Sequence, residues 1–206
     1  MRSLKLLRCL IFAMLVALCG SAFADVFEHP VTSANRSFFA RDLSKMTKHE
    51  VVQGEFKQTK AIKKLNREFV STGTFRVSKK SGVVWNTQKP FPSELTVSDS
   101  SITERNADGR VRTISTKDNP SFAEFSKVIK AVLFGDIDEL EHKFKFFYEK
   151  VPNGFRVGLE PRENAMKKFV KNIVMDVSSY LDKVVMTDGA GNPVTYEFTN
   201  QNYLDE

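Results

Sequence analysis

The stretch that decides the fold is residues 51–77, VVQGEFKQTKAIKKLNREFVSTGTFRV. Its side chains alternate with a period of two, so that Phe56 lies between two charged residues and Phe75 between two polar ones. This period is typical of a β-strand with one apolar face and one face in water. A parallel sheet that is covered on both faces would instead give continuous apolar runs. The stretch therefore predicts two strands of an antiparallel sheet.

The same alternation continues towards the C-terminus, where turns rich in Gly, Pro, Asn and Asp separate the apolar runs. Two of these turns, Asn106–Gly109 and 188–193, have residues that favour the tight backbone of a hairpin. We therefore expect about ten strands in all. Beyond the first two, they are predicted around Val83, Trp85, Leu95 and Val97, and at Ile102–Arg105, Arg110–Ser115, Lys143–Lys150, Phe155–Glu160, Lys168–Val177, Leu181–Thr187 and Val194–Thr199.

Three short helices are predicted where apolar residues recur at a spacing near 3.6: Arg36–Met46, a helix that Ser121 caps and Gly135 ends, and Ile137–Glu141. Helices of this length cover only part of one face of such a sheet. We therefore expect an α+β, mainly β fold: a single curved antiparallel sheet that forms an unclosed half-barrel, with the short helices as a lid over its concave face. No break in composition divides residues 25–206, which we expect to form a single domain.

Residues 1–24 have the pattern of a secretory signal peptide. Three basic residues open it, an apolar run follows at Leu10–Leu18, and Ala22-Phe23-Ala24 offers small residues at the cleavage point. We expect cleavage after Ala24 and export of the remaining chain. The alternative is acylation of Cys19, which would anchor the chain in a membrane, although Leu18 stands where that modification favours a small residue.

The exported chain is less basic than the precursor. Removal of 24 of the 206 residues leaves 182, and because the removed segment carries three basic and no acidic residues, the net charge falls from +6 to +3. This balance argues against a nucleic-acid partner. Both cysteines, Cys9 and Cys19, leave with the signal, so we expect no disulfide and no thiol chemistry in the exported domain.

The spacing of reactive residues does not indicate a catalytic or metal site. His29, His49 and His142 lie far apart, and the acidic run 136–141 lacks the alternating ligands and the glycine of a calcium loop. We therefore expect no enzymatic activity, no cofactor and no bound metal. An exported hydrolase, whose Ser, His and Asp come together only in the fold, is the enzymatic alternative.

The abundance of phenylalanine suggests a hydrophobic cavity. Sixteen of the 18 phenylalanines remain after Phe12 and Phe23 leave with the signal. Such a cavity would favour acyl chains, because each buried methylene contributes about 0.8 kcal/mol. The predicted lining of the sheet is Phe56, Phe69, Phe75, Val77, Trp85, Leu95 and Val97, and the predicted lining of the lid is Phe122, Phe125, Val128, Ile129, Val132 and Leu133.

Three segments resemble the periplasmic outer-membrane lipoprotein carrier family, called LolA-like. They are residues 52–58 (VQGEFKQ), residues 71–77 (STGTFRV) and the run from Trp85 to Pro90, which follow the family pattern G-x-F-x-Q, S-x-G-x-F, then W and P. The order and spacing agree over residues 51–99. Lys80 stands where the family usually has proline, and Ser100 follows Asp99 where the family usually has glycine, so the chain resembles a divergent member of the family.

The resemblance implies a periplasmic carrier without enzymatic activity and without a cofactor, and we expect a monomer. It would take the acyl chains of lipoproteins from an inner-membrane exporter and deliver them to an outer-membrane acceptor. It also implies a lid latch, which is an arginine in the family and corresponds to Lys79 here. Two alternatives share this fold: a related carrier of lipid or lipid-linked pigment for an export system, and an acceptor lipoprotein anchored through Cys19.

Overall fold

The computed structural model describes residues 25–45, 49–115, 117 and 140–204. The predicted signal peptide and the predicted helix from Ser121 to Gly135 lie outside these residues. The described α-helices include α1 (Arg36–Leu43) and the single turn α2 (Asn164–Lys167), and short 3-10 helices lie at Val26–Glu28 and Lys63–Leu65. The strands are β1 (Val51–Ile62), β2 (Arg67–Ser78), β3 (Gly82–Lys89), β4 (Ser93–Val97), β5 (Ser101–Asn106), β6 (Val111–Ser115), β7 (Phe144–Val151), β8 (Gly154–Pro161), β9 (Val170–Val177), β10 (Leu181–Asp188) and β11 (Pro193–Leu204).

All the described strands belong to one antiparallel sheet. Their order is β6-β5-β4-β3-β2-β1-β11-β10-β9-β8-β7, so the first and last strands of the chain meet in the middle. Strands β6 and β7 form the two edges and do not pair with each other, which leaves the sheet unclosed. The predicted fold class, a mainly β half-barrel with few short helices, is confirmed.

The last strand is longer than predicted. We expected it to end at Thr199, but β11 continues to Leu204. The chain adopts a left-handed conformation at Asn200, with φ of 52°, and the register against β1 shifts between Gln53 and Glu55. A β-bulge of this kind inserts one residue and lets the pairing resume. The pairing does resume, and Leu204 lies opposite Val51.

Cross-strand register separates the sheet into two faces. Residues that lie opposite each other share a face, so the row Val77, Val83, Val97 and Ile102 runs along one side of β2 to β5. All four side chains are buried. We call this side the inner face; it carries the apolar core of the molecule. The neighbouring positions along each strand point to the opposite, outer face, which is largely polar.

Helix α1 covers the inner face near the edge strand β7. Its Phe39 ring lies 5.2 Å from the Phe146 ring and 5.8 Å from the Tyr148 ring, and Phe39 and Leu43 are each 1% exposed. We predicted this helix to end at Met46, but it ends at Leu43. The Ser44 hydroxyl donates to the Arg41 carbonyl oxygen at 2.8 Å and so satisfies a carbonyl near the helix end.

The segment before α1 protects the edge of β7. The Val31 amide donates to the Phe146 carbonyl oxygen, and the Tyr148 amide donates to the His29 carbonyl oxygen, each at 2.9 Å. The Phe27 ring packs edge-on against Phe147 at 5.1 Å. These contacts satisfy backbone groups that an exposed edge strand would offer to another chain.

Candidate functional site

The centre of the inner face is built from two short repeats of glycine and phenylalanine. Strand β1 carries Gly54 and Phe56, and strand β2 carries Gly73 and Phe75. In the antiparallel register Gly54 lies opposite Phe75, and Phe56 lies opposite Gly73. Each phenylalanine ring therefore covers the glycine of the other strand, an arrangement that stabilises glycine in a sheet.

Gly73 is required by the close packing at this point. A Cβ atom at Gly73 would lie 1.9 Å from the Asn86 carbonyl oxygen and 2.9 Å from the Phe56 ring. No side chain fits between such atoms without moving a strand. The two motifs that carry the family resemblance thus have a physical role: they bring β1, β2 and β3 close enough for their aromatic rings to meet.

Five aromatic side chains form a cluster on this face, which we call the aromatic cluster. The rings of Phe56 and Trp85 stack at 4.0 Å, Phe75 and Phe198 meet edge-on at 5.1 Å, and Trp85 meets Tyr196 edge-on at 5.7 Å. Burial raises the pKa of the Tyr196 phenol, which keeps the ring neutral. Trp85 is the single tryptophan of the chain.

Six of the seven predicted sheet-lining residues join the apolar core, but they are not equally covered. Phe56, Phe75, Val77 and Val97 are buried, whereas Trp85 and Leu95 pack against the core and remain half-buried. Phe69 shares the face with Phe75 through the alternation of β2, yet it lies near the strand's beginning and is 52% exposed. The predicted lid residues Phe122, Phe125, Val128, Ile129, Val132 and Leu133 lie outside the described residues.

Sequence reasoning missed the part of the cluster that β11 supplies. Tyr196 and Phe198 were not among the predicted lining residues, although they alternate with polar neighbours as clearly as Phe56 does. Phe198 lies opposite Phe56 in the register of β1 and β11. The alternation in the sequence could have identified Tyr196 and Phe198 as members of an apolar strand face. It could not show that the last strand pairs with the first, which is what brings these rings into the cluster.

A buried carboxylate fastens α1 to the sheet. Asp42 is 1% exposed and accepts hydrogen bonds from Lys45 Nζ at 2.8 Å, the Tyr148 hydroxyl at 2.7 Å and Lys150 Nζ at 2.9 Å. Burial alone would raise the pKa of Asp42, but these three hydrogen bonds outweigh it and hold the pKa well below its usual range. Burial and the bond to Asp42 raise the pKa of Tyr148 to about 12. Asp42 is therefore charged, and α1 is held in place.

The latch candidate Lys79 lies in the turn between β2 and β3. Its amide donates to the Glu50 carbonyl oxygen at 3.0 Å, and its Nζ forms an ion pair with Glu50 Oε1 at 3.2 Å. The turn lies at the end of the strands where β1 begins. The helix that a latch would hold lies outside the described residues, so the role of Lys79 stays a prediction.

A polar groove of about 400 Å³ lies on the outer face, over β1, β2, β3 and β11. Within it Arg76 Nη1 donates to Gln53 Oε1 at 3.3 Å, and Asn200 Nδ2 donates to Glu55 Oε2 at 3.0 Å. The bulge at Asn200 shapes one wall of the groove. Its polar lining contrasts with the apolar inner face and does not suit an acyl chain.

Within residues 25–45, 49–115 and 140–204, no three His, Cys, Asp or Glu side chains come together as a metal site. In the same part of the chain, no helix has the length and apolar character needed to cross a membrane.

The fold and the site define a class of protein: an unclosed antiparallel half-barrel that presents a partly covered apolar inner face. Residues 47–205 match the family model described as outer membrane lipoprotein carrier protein LolA. Because the match spans most of the chain, the protein belongs to the LolA family, whose members are carriers of lipoproteins. The comparison with curated proteins gives no match.

Solved structures of similar proteins are remote in sequence. A LolA superfamily protein from Nitrosomonas europaea is 8% identical, with a TM-score of 0.46, over 83% of this chain and 94% of that chain. The lipoprotein LppX from Mycobacterium tuberculosis is 10% identical, with a TM-score of 0.46, over 85% and 99%. A DUF1329 family protein from Desulfovibrio piger is 12% identical, with a TM-score of 0.45, over 85% and 93%.

Proposed function

We propose that this protein is a periplasmic carrier that binds the acyl chains of lipoproteins on its inner face and shuttles them from the inner to the outer membrane. The observation that carries the proposal is the partly covered apolar face around the aromatic cluster. Membership of the LolA family supports the same reading, since that family is described as lipoprotein carriers. The carrier domain comprises residues 25–206, and residues 1–24 are the export signal.

The half-buried members of the inner face form the proposed contact surface. Trp85, Leu95 and Tyr196 pack against the core without being fully covered by it. Hydrocarbon that lies on these side chains would remove the remaining apolar area from water, which stabilises the complex by about 25 cal/mol for each Å². The predicted residues of the lid, from Phe122 to Leu133, would cover the hydrocarbon from the other side.

The proposed carrier acts without catalysis and without a cofactor. Apolar contact is sufficient to hold an acyl chain, and release requires the lid to move. The proposed partners are an inner-membrane exporter that loads the carrier and an outer-membrane acceptor that unloads it. A monomer is expected, because the cargo occupies the apolar face that a second copy would otherwise cover.

Trp85 provides a direct test, because it is the single tryptophan and belongs to the aromatic cluster. A fatty acid brominated in the middle of its chain quenches tryptophan fluorescence only at short range. Titration of the protein that begins at Asp25 should give saturable quenching. An unbrominated fatty acid should compete with the brominated one and restore the fluorescence.

Two variants of β4 locate the binding face. Leu95 lies opposite Trp85 on the inner face, and Thr96 is the next residue, on the outer face. Leu95→Glu should weaken binding of the brominated fatty acid by at least tenfold, because the ligand would bury an unpaired charge. The matched control Thr96→Glu should bind like the unchanged protein. Circular dichroism establishes that both variants are folded.

Two results would refute the carrier proposal. The first is the lack of saturable quenching in the unchanged protein, together with the lack of copurified lipid in mass spectrometry. The second is equal weakening by Leu95→Glu and Thr96→Glu, which would place the ligand elsewhere than on the inner face. The first result does not depend on whether Leu95→Glu folds, because it uses the unchanged chain. The second result counts only when circular dichroism shows that both variants are folded.

A further inference from the structure

The exposed apolar side chains of the described residues gather at one end of the sheet. We define the loop rim as the five connections at this end, residues 62–67, 89–93, 106–111, 161–170 and 188–193. Within the rim Phe91 is 82% exposed, Phe169 is 75% exposed and Leu65 is 59% exposed. Of the seven large apolar residues that are exposed in the described chain, six lie in the rim or within three residues of it: Leu65, Phe69, Val70, Phe91, Val111 and Phe169.

The rim is continuous because the sheet is antiparallel. Successive hairpins along the strand order turn at the same end, which places the five connections side by side. Two contacts join neighbouring connections directly. The Lys63 amide donates to Asn192 Oδ1 at 3.1 Å, and the Gly189 amide donates to the Phe169 carbonyl oxygen at 2.9 Å.

The five connections of the rim also carry an excess of basic residues. They are Lys63, Lys64, Arg67, Lys89, Arg110, Arg162, Lys167 and Lys168, whereas the acidic residues are Asp108, Glu163 and Asp188. The excess of positive charge is largest in the connection 62–67, which contains no acidic residue.

The opposite end of the sheet has a different character. Its described connections are 78–82, 97–101, 151–154 and 177–181, and these carry no exposed large apolar side chain. Their charges are Lys79, Lys80 and Asp99. The combination of exposed apolar residues with an excess of basic residues therefore belongs to the rim and not to strand ends in general.

We propose that the loop rim is a membrane-docking surface that binds the headgroups of an anionic lipid bilayer. Lysine and arginine side chains near such a surface are attracted to its phosphate groups, and aromatic side chains insert at the boundary between headgroups and acyl chains. The apolar residues of the rim protrude singly from separate loops. A fluid bilayer accommodates separate protrusions, whereas a stable protein interface is built around a packed apolar core.

This docking surface goes beyond the proposed carrier function and is tested separately from it. The rim lies at the strand ends, whereas the aromatic cluster lies on the inner face. Docking would bring the rim end of the half-barrel against the membrane. It would do so without involving the residues that are proposed to hold the acyl chain.

Vesicle cosedimentation tests the proposal. The probe is the chain that begins at Asp25, which retains every described helix and strand. Large vesicles of phosphatidylcholine alone are compared with vesicles that also contain phosphatidylglycerol. The protein should sediment with the anionic vesicles, and high salt should release it, because salt screens exposed charges.

Two pairs of variants separate the rim from the rest of the surface. The double variant Phe91→Ser with Phe169→Ser should lower binding to anionic vesicles by about tenfold. The control Phe38→Ser changes a phenylalanine of α1 that is 52% exposed and does not belong to the rim, and this variant should bind normally. Lys64→Glu in the rim should lower binding by about tenfold, whereas Lys80→Glu at the opposite end should not.

Three outcomes would overturn the docking surface: no binding to anionic vesicles, equal effects of the rim variants and their controls, or a rim-dependent dimer that forms without lipid. The substituted side chains are exposed, so the variants should fold. Quenching of Trp85 by the brominated fatty acid should be unchanged in all four variants. That readout distinguishes failure of the docking surface from failure of the carrier function.

Discussion

The two sides of the inner face differ in how completely they are covered. On β7, β8 and β9 the inner-face residues Phe144, Leu159 and Met175 are at most 1% exposed, and α1 lies over this side of the sheet. On β3 and β4 the inner-face residues Val83 and Val97 are buried, but the next inner-face pair, Trp85 and Leu95, is only half-buried. Both sides have the same alternating pattern of apolar residues. The difference shows that alternation creates an apolar face, but the elements packed on it decide whether that face is core or binding surface.

The comparison also separates two kinds of contact. The covered side is fixed by a charged network, in which Asp42 ties α1 to Tyr148 and Lys150 of β7. The other side is held by ring contacts among the members of the aromatic cluster. Hydrogen bonds to a buried charge are directional and fix one position of the helix. Apolar contacts are less directional, and they tolerate an exchange of partners when hydrocarbon binds.

The largest effect is expected from loss of the ring that α1 places on the covered side. Phe39→Ala should lower the free energy of unfolding by about 3–5 kcal/mol, because it removes a fully buried aromatic ring. Urea denaturation measures the change. Phe38→Ala on the same helix is the control and should change stability by less than about 0.5 kcal/mol, because this side chain is exposed. Equal losses in the two variants would contradict the placement of α1.

Two leucines of the inner face allow the covered side of the sheet to be compared directly with the partly covered side. Leu159 is fully buried, so Leu159→Ala should cost about 2–5 kcal/mol of unfolding free energy. Leu95 is half-buried, so Leu95→Ala should cost only about 1 kcal/mol. If the carrier proposal is correct, Leu95→Ala weakens fatty-acid binding, whereas Leu159→Ala leaves it unchanged at temperatures where the variant is folded. Equal stability losses would mean that the two sides are equally covered.

The charged network should make stability depend on pH. At pH 7, Asp42→Asn should lower the free energy of unfolding by about 1–3 kcal/mol, because it weakens hydrogen bonds to a buried charge. The pKa of folded Asp42 lies below its ordinary value of 3.8, so its contribution is complete above that pH and is lost as the pH falls towards the folded pKa. Denaturation at pH 7 and pH 3 should therefore show a smaller difference between variant and unchanged protein at the lower pH.

A surface ion pair provides the control for Asp42. Glu197 pairs with Lys57 on the outer face at 3.3 Å, and both side chains are about half exposed. Glu197→Gln should change stability by less than about 1 kcal/mol. A cost for Asp42→Asn that stayed constant between pH 7 and pH 3 would contradict the assignment of a lowered pKa.

The smallest effect is expected at Phe69, the exposed member of the predicted lining. Phe69→Ala should change the free energy of unfolding by less than about 0.5 kcal/mol, although Phe69 shares a face with buried Phe75. Phe75→Ala is the matched comparison and should cost about 3–5 kcal/mol. Thermal denaturation of the two variants compares the stability that is lost at Phe69, near the beginning of β2, with the stability that is lost at Phe75. A large loss for Phe69→Ala would show that the inner face is covered along the whole strand.

Much of the fold could be predicted from local patterns. The alternation around Phe56 and Phe75 and the turn at Asn106–Gly109 depend on neighbouring residues, so both can be predicted from short segments. The predicted end of the last strand was wrong, because pairing with a distant strand decides where that strand ends. The end of β11 at Leu204 depends on renewed pairing with Val51, and local pattern carries no information about that partner.

The residues of the candidate site also divide into those that a local pattern predicts and those that depend on a distant strand. The sequence indicated that Phe56, Trp85 and Leu95 share an apolar face, because period-two alternation and turn spacing set the orientation of each side chain. It did not indicate that Phe198 lies opposite Phe56, since these residues come from opposite ends of the chain.

By itself the sequence determined that this protein has strands with one apolar face, and which side chains within each strand share that face. Only the tertiary structure decided how far each of those side chains is covered. It showed that α1 covers the side at β7, that Phe69 is exposed near the beginning of β2 and that Trp85 is half-buried. The physical reason is that orientation follows from backbone geometry within a strand, whereas burial depends on which distant segments pack against it.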